Sequence, residues 1–426
     1  MSTASDSFIT YTSQECCPVC QSKDYSIGSE HKEIIQALPM KAEEISQQAV
    51  LRFTPVLCEK CGISFNLKSI DAQSRATINR NYQFIKATSM GAANYQTYMN
   101  EVKKHLKSKS DKILEIGGYD GYLLRELASD GYTDLTLIDP STKTDDLDDS
   151  LKSIKVINGF FPEHDPVFTA RNGGGSSGLY DVVCAKDVLQ MIPDPLGFMK
   201  AINAVIKKGG MLVLTSVPLH VMHALQSNHL GINVYSYFAQ HSGFQLLEHY
   251  KKPENGYIVY VLRKETDLID EPELSADFAA RPQRSPEDFA AEQERNRELI
   301  KNSHSFSDKA SAFLNERISH YSQSDSEIVI YGTGFYTFNI IDAVTTDLSR
   351  LNLTLVNSSA EQDGYLFMLP DSSTCPVHYA MEYLKGRHIP LLILGVQSPL
   401  FKNEIADTLQ KIGCTFDELL YLPDHE

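Results

Sequence analysis

Short, predominantly apolar runs closed by glycine, proline or an acid alternate along most of the chain with stretches of helical spacing. Lys112–Ile116 is one such run; Gly117, Gly118 and Gly121 follow it, then helical spacing from Tyr122 to Ala128 and a second run, Leu135–Ile138, ending in Asp139. Runs of this kind suit parallel strands buried on both faces. Ile154–Ile157, Tyr180–Ala185 and Met211–Val217 predict third, fourth and fifth strands, and Tyr257–Arg263 a closing one. A helix is expected over Leu196–Ile206, with Lys207-Lys208-Gly209-Gly210 as its stop. The alternation is that of a doubly wound α/β sheet.

The pattern repeats on a smaller scale near the end. Glu265–Pro286 is acidic and proline-bearing, as linkers are, and Glu287–Tyr321 is helix-forming. Glu327–Tyr331 then predicts a strand leading into Gly332-Thr333-Gly334 and a helix; Leu353–Val356 and Pro390–Leu394 predict further strands, and Asn403–Ile412 a helix. Before the first sheet, Asp71–Leu106 has a largely helical pattern interrupted by NYQFIKATSMGAANY, where Tyr82, Phe84, Tyr95 and Tyr98 either line a ligand pocket or, the favoured reading, pack beneath the sheet. RNGGGSSG at 171–178 is a flexible loop. These boundaries divide the chain into 1–75, 76–265, a linker and helix over 266–322, and 323–426.

The first turn carries candidate chemistry. Glycines let the backbone turn tightly and approach a ligand where a Cβ would collide, and in open α/β sheets ligands bind at the carboxyl ends of the strands. Asp139 stands at such an end, where an acid suits the two hydroxyls of a ribose. A dinucleotide turn would read G-x-G-x-x-G; this one is Gly117-Gly118-Tyr119-Asp120-Gly121, with Glu115 two residues upstream. The absence of a pyrophosphate cradle and the nearby carboxylate favour S-adenosylmethionine, whose methionine end is cationic, over NAD. Phe160, in Asn158-Gly159-Phe160-Phe161 at the end of the third strand, is placed to stack on an adenine.

Composition narrows the partners. A chain of 426 residues with 42% hydrophobic content suits two to four soluble domains, and a net charge of −16 argues against nucleic acid. There is no apolar run of membrane-spanning length and no signal-peptide core in MSTASDSFITYTSQ, so a cytoplasmic location is expected. Five of the eight cysteines lie between Cys16 and Cys61. Cys17-Pro-Val-Cys20 and Cys58-Glu-Lys-Cys61 form paired C-x2-C knuckles that can present four thiolates to one tetrahedral zinc, a closed and therefore structural site, with Cys16 as an alternative ligand. Cys184, Cys375 and Cys414 are expected to be buried apolar residues.

Between Pro218 and Phe244 the chain is dense in His, Asn and Tyr. Ionisable groups beside a cofactor sheet are candidates for acid or base work, and here they are His229, Tyr235, Tyr237 and His241.

With these parts in place the chain resembles the three-part sugar C-methyltransferases that act on nucleotide-activated deoxysugars, nearly end to end. The resemblance rests on Glu115-Ile-Gly-Gly-Tyr-Asp-Gly121 followed by Tyr-Leu-Leu, on Asp139-Pro-Ser141, Gly159-Phe-Phe161 and Val188-Leu-Gln-Met-Ile-Pro-Asp194, and in the last part on Asn357, Gly364-Tyr365, Pro376-Val377 and LLILGVQSPLFKNEI. It implies an N-terminal zinc module, a central S-adenosylmethionine domain and a C-terminal Rossmann-like substrate domain. Two departures stand out. Where the family carries a His-Glu-His for proton abstraction, this chain has Ile232-Asn233-Val234, and the C-terminal glycine turn reads Gly332-Thr-Gly-Phe-Tyr-Thr-Phe338. None of the three replacements can take a carbon-bound proton. The expectation is therefore an S-adenosylmethionine-dependent methyltransferase acting on a small, nucleotide-linked sugar or sugar-like molecule, on oxygen rather than carbon, with His229, His241 and Tyr237 as candidate catalytic groups. The rival expectation is a binding or scaffold protein that keeps the architecture without turnover.

Overall fold

A computed structural model describes residues 9–36, 38–81, 89–142, 154–173, 178–219, 222–252, 256–268, 285–302, 306–397 and 399–425. Tyr82 and Phe84, the middle of the 171–178 loop and most of the Glu265–Pro286 linker lie outside the described residues.

The central sheet has seven strands in the order Ile154–Asn158, Asp134–Asp139, Lys112–Ile116, Tyr180–Lys186, Ile206–Ser216, Ile258–Lys264 and Phe244–Lys251. The first five run parallel and the last two pair antiparallel. The order reverses direction between Lys112–Ile116 and Tyr180–Lys186, so the crevice for a ligand lies beyond the carboxyl ends of these two strands. Helices cover both faces. Pro166–Asn172 and Pro195–Val205 start where an Asp caps the backbone ahead of a proline: Asp165 accepts from Val167 N and Phe168 N, and Asp194 from Gly197 N.

One expected feature differs. The helix ends at Val205, and Lys207–Gly210 belongs to the next strand, Ile206–Ser216. The pairing slips from Tyr180↔Ile206 to Val182↔Met211, and Gly209 at φ +76° absorbs the excess residues as a bulge.

The C-terminal sheet has six strands in the order Leu366–Met368, Thr374–Tyr379, Leu353–Asn357, Ile328–Tyr331, His388–Leu394 and Thr415–Leu420, all parallel except the first. This is a second Rossmann-like unit. The helix-forming stretch ahead of it is two helices, Pro286–Asn302 and Asp308–Ser322.

The N-terminal region is built of short strands, and it is sewn to the central sheet. Tyr25–Ile27, Pro55–Cys58 and Ser64–Asn66 form a small antiparallel sheet whose fourth strand, Asn228–His229, comes from the histidine-rich segment. Cys58, Cys61, Phe65, Leu212, Leu230, Tyr235 and Phe238 share one continuous core.

Candidate cofactor and metal sites

The glycine turn between the first two central strands is shaped by what lies under it. A Cβ on Gly118 would stand 2.6 Å from Glu115 Cδ and 2.6 Å from Leu137 Cδ1, and one on Gly117 (φ +74°) would strike the Val188 side chain. The Glu115 side chain is therefore tucked beneath the backbone of the turn, 1% exposed. Its Oε2 has no hydrogen-bond partner among the described residues. Burial, followed by the charges of Asp120 and Asp139, pushes its carboxyl up to about 8, against a smaller opposing effect of Lys186. A buried carboxylate without a donor is expensive, and a cation seated on it would relieve the penalty.

Asp139 holds the second half of the turn. It accepts from Tyr119 N at 3.1 Å, Ser141 N at 2.6 Å and Thr142 N at 3.1 Å. Burial nevertheless raises its carboxyl above the usual range. Thr142 Oγ1 donates to Tyr119 O at 2.6 Å, which closes the loop over the strand ends, and Tyr119 sits at φ +47°. Asp120 accepts from Tyr122 N at 3.2 Å and from Arg125 at 3.4 Å, and Gly121 caps the helix Tyr122–Ser129 in the left-handed conformation. Phe160 is 51% exposed beyond the third strand. All seven residues singled out for the cofactor thus lie at the carboxyl end of the first three strands.

The structure adds residues that sequence reasoning passed over. Asp187 follows the fourth strand directly, across the switch point, and holds φ +57°, a left-handed conformation uncommon outside glycine and often kept at functional sites. Its carboxylate accepts from Thr215 Oγ1 at 2.7 Å and from Lys186 Nζ at 2.6 Å. The Lys186 ammonium also lies 4.9 Å from the centre of the Tyr95 ring. Tyr95, Tyr235 and Tyr257 all feel the charge of Asp187; burial is the larger reason that their phenols are raised, Tyr257 to about 12. The available signal was an ion-pairing dipeptide, Lys186-Asp187, at the end of a strand flanking the switch point.

The three candidate catalytic residues lie elsewhere. His229 is 1% exposed in the strand paired with Ser64–Asn66. Its Nδ1 is 2.8 Å from Gln226 Oε1 and its Nε2 3.1 Å from Asn66 Oδ1, so the ring bridges two amides in the seam between N-terminal region and sheet. Tyr237 and His241 stack on one another at 3.9 Å, and His241 Nδ1 bonds the Tyr237 carbonyl at 2.9 Å. Tyr237 packs against the core that includes the clustered cysteines, and burial pushes its phenol to about 12. Asn233 is 1% exposed and is wedged against the second knuckle: a Cβ on Gly62 would stand 2.6 Å from Asn233 Cβ. Its amide donates to Phe289 O at 3.0 Å. Tyr235, stacked on Tyr260 at 3.5 Å, is the aromatic of this segment that lies by Ser216 and Asp187.

Cys17, Cys20, Cys58 and Cys61 form a cluster whose sulfurs all lie within 4.8 Å of one another. Cys17–Cys61 and Cys20–Cys58 stand at 3.5 Å. A disulfide would bring sulfurs to about 2.05 Å, whereas four thiolates at about 2.3 Å from a tetrahedral zinc lie roughly 3.8 Å apart. The donor set and spacing are compatible with zinc. Cys16 is outside the cluster and donates to Gln21 Oε1 at 3.1 Å. Helix Pro286–Asn302 braces the second knuckle: Gln293 Nε2 donates to Cys58 O at 3.1 Å, and Arg297 forks onto Glu59 at 2.7 and 3.0 Å.

In the C-terminal unit Gly332, at φ +118°, precedes the helix Phe335–Asp342. Thr337 Oγ1 donates to Gly332 O at 2.9 Å, and Asn357 donates to Gln362 Oε1 at 2.6 Å. Among the described residues no helix is long and apolar enough to cross a membrane.

Residues 92–258 match a family model described as a methyltransferase domain. No curated protein matches the chain significantly. Solved structures similar to its central part include the N-methyltransferase NodS of Bradyrhizobium japonicum (13% identity, 43% of this chain and 100% of that one, TM-score 0.30). An S-adenosylmethionine-dependent methyltransferase of Mesorhizobium loti (11%, 41% and 99%, 0.33) and the CcbJ methyltransferase of Streptomyces caelestis (15%, 39% and 93%, 0.32) are others.

Proposed function

Starting from a chain that carries an S-adenosylmethionine-dependent methyltransferase domain, we propose that it methylates an oxygen of a small, nucleotide-linked sugar or sugar-like acceptor. The observation that carries the cofactor half is Glu115: a buried carboxyl group whose Oε2 has no donor among the described residues, beneath two glycines that admit no side chain. It receives the ammonium of the cofactor's methionine end, Asp139 the ribose and Phe160 the adenine. The bound cofactor supplies a methyl group on a sulfonium. The chain's own work is to hold the acceptor in line and to take its proton.

The acceptor end is the Asp187 side of the switch point, with Tyr235 beside it. Asp187 receives the acceptor proton as the new O–C bond forms, the methyl–sulfur bond breaks and its electron pair stays on sulfur. An oxygen acceptor fits because the place of the resembled family's acid and imidazole is filled by Asn233, packed on Gly62, and because His229 is held in the seam between two amides. In the same reading the four cysteines hold one structural zinc. Calorimetry with S-adenosylmethionine, then radiolabelled methyl transfer to a panel of nucleotide sugars with NMR of the product, tests the proposal. Failure to bind the cofactor sinks it, a methyl on carbon overturns the oxygen assignment, and binding without turnover across the panel favours the scaffold alternative.

A further inference from the structure

The mouth of the switch point carries four carboxylates, Glu115, Asp120, Asp139 and Asp187, and their counter-charges are unevenly shared. Asp139 is served by backbone amides, and Asp120 by Arg125 at 3.4 Å. Glu115 and Asp187 share one ammonium, that of Lys186: it contacts Asp187 at 2.6 Å, lies over the Tyr95 ring, and opposes the burial penalty on Glu115. The Lys186 side chain is only 18% exposed, so this charge acts through protein rather than through bulk water, where screening would erase it.

The two ligands of such a site differ by one charge. S-adenosylmethionine carries a sulfonium, an ammonium and a carboxylate, whereas S-adenosylhomocysteine has lost the methyl and with it the sulfonium charge and is otherwise alike. A resident ammonium within the same carboxylate cluster opposes the sulfonium and leaves the neutral sulfide untouched. We infer that Lys186 is the residue that sets the affinity of the site for the charged cofactor relative to its neutral product, weakening the first against the second and so making the enzyme responsive to product. This rests on the reading of the switch point as the cofactor site.

The test is calorimetric titration of S-adenosylmethionine and S-adenosylhomocysteine into the full chain at pH 7, as wild type, Lys186→Met and Lys186→Arg. One unit charge acting across roughly 10 Å at an effective dielectric of about 20 corresponds to a change of about tenfold. Lys186→Met should therefore shift the affinity ratio about tenfold toward S-adenosylmethionine, and Lys186→Arg, which keeps the charge, should keep the wild-type ratio within about twofold. Lys186→Gln, neutral but able to donate to Asp187, is the second neutral variant should the methionine variant melt early, and it should shift the ratio likewise. An unchanged ratio in a folded neutral variant, or a shift toward S-adenosylhomocysteine, overturns the inference while leaving the cofactor site standing. A wild-type chain that binds neither ligand removes the reading beneath it.

Discussion

Replacing Glu115 by Gln should stabilise the ligand-free chain at alkaline pH while weakening cofactor binding. The carboxyl has an ordinary value of 4.5 and is pushed up to about 8, first by burial and then by Asp120 and Asp139. Between these values the folded chain keeps a proton that the unfolded chain has released, so stability falls as pH rises through the interval and levels off above it. At 1.36 kcal/mol per pKa unit the full fall is at most about 5 kcal/mol. Relaxation around the group and its coupling to Asp139 bring the expected fall to about 2–5 kcal/mol. Gln keeps the shape and cannot ionise. Its unpaired amide imposes a penalty that does not vary with pH, and the raised carboxyl of Asp139 is common to both proteins, so the change with pH in the difference between them isolates Glu115. Urea unfolding at pH 5.5 and 8.5 samples the larger part of it: wild type should lose about 1–3 kcal/mol relative to the variant between the two. Calorimetry should show affinity for S-adenosylmethionine weakened by roughly tenfold to a hundredfold, the worth of one charge-assisted hydrogen bond. Parallel stability curves for the two proteins would refute the claim that burial opposes the ionisation of Glu115 until a cation joins it.

Gly118→Ala forces a methyl between Glu115 and Leu137; a loss of about 1–3 kcal/mol in urea and weaker cofactor binding are expected, and wild-type values in both would sink the steric account. Purified protein should contain about one equivalent of zinc, lost in Cys58→Ser. Because the cysteines lie in the core shared with Phe65, Leu230 and Tyr235, chelation should lower the melting temperature of the central sheet as well; a central transition indifferent to the chelator would contradict this. His229→Ala should destabilise by about 2–4 kcal/mol, through two lost buried hydrogen bonds and a cavity, yet leave turnover per folded molecule unchanged. A variant of full stability and no turnover would restore the histidine to catalysis.

The glycine turn was legible because its causes are local: an apolar run, glycines demanded by a side chain two residues upstream, and an acid one strand later. The cysteine knuckles were legible for the same reason. What escaped depends on distant pairing. His229 looks reactive in sequence, and only the meeting of Asn228–His229 with Ser64–Asn66, more than 160 residues away, shows that both ring nitrogens are occupied. Lys207–Gly210 has the composition of a helix end, but the slip between Tyr180 and Val182 decides that it becomes a bulged strand. Asp187 was overlooked because a left-handed backbone at a non-glycine residue leaves no mark in composition. Tyr98 is fully buried beneath the sheet and Tyr95 packs against the same core, its ring also reached by Lys186, a contact that the sequence does not announce.

The strand that Asn228–His229 lends to the N-terminal sheet bears on how such a chain can be recombined. A methyltransferase cassette cut at the limits of the matched segment, 92–258, would leave Leu230 and Phe238 without Phe65 and Cys61, and would strip helix Pro286–Asn302 from Asn233. An exchange of the central sheet alone would separate it from all of these contacts. Any exchange that spares these contacts has to carry the cysteine knuckles and helix Pro286–Asn302 along with the central sheet, and because Ile34 lies in the C-terminal core and Lys32 pairs with Asp342, the same N-terminal region also ties the cassette to the last unit.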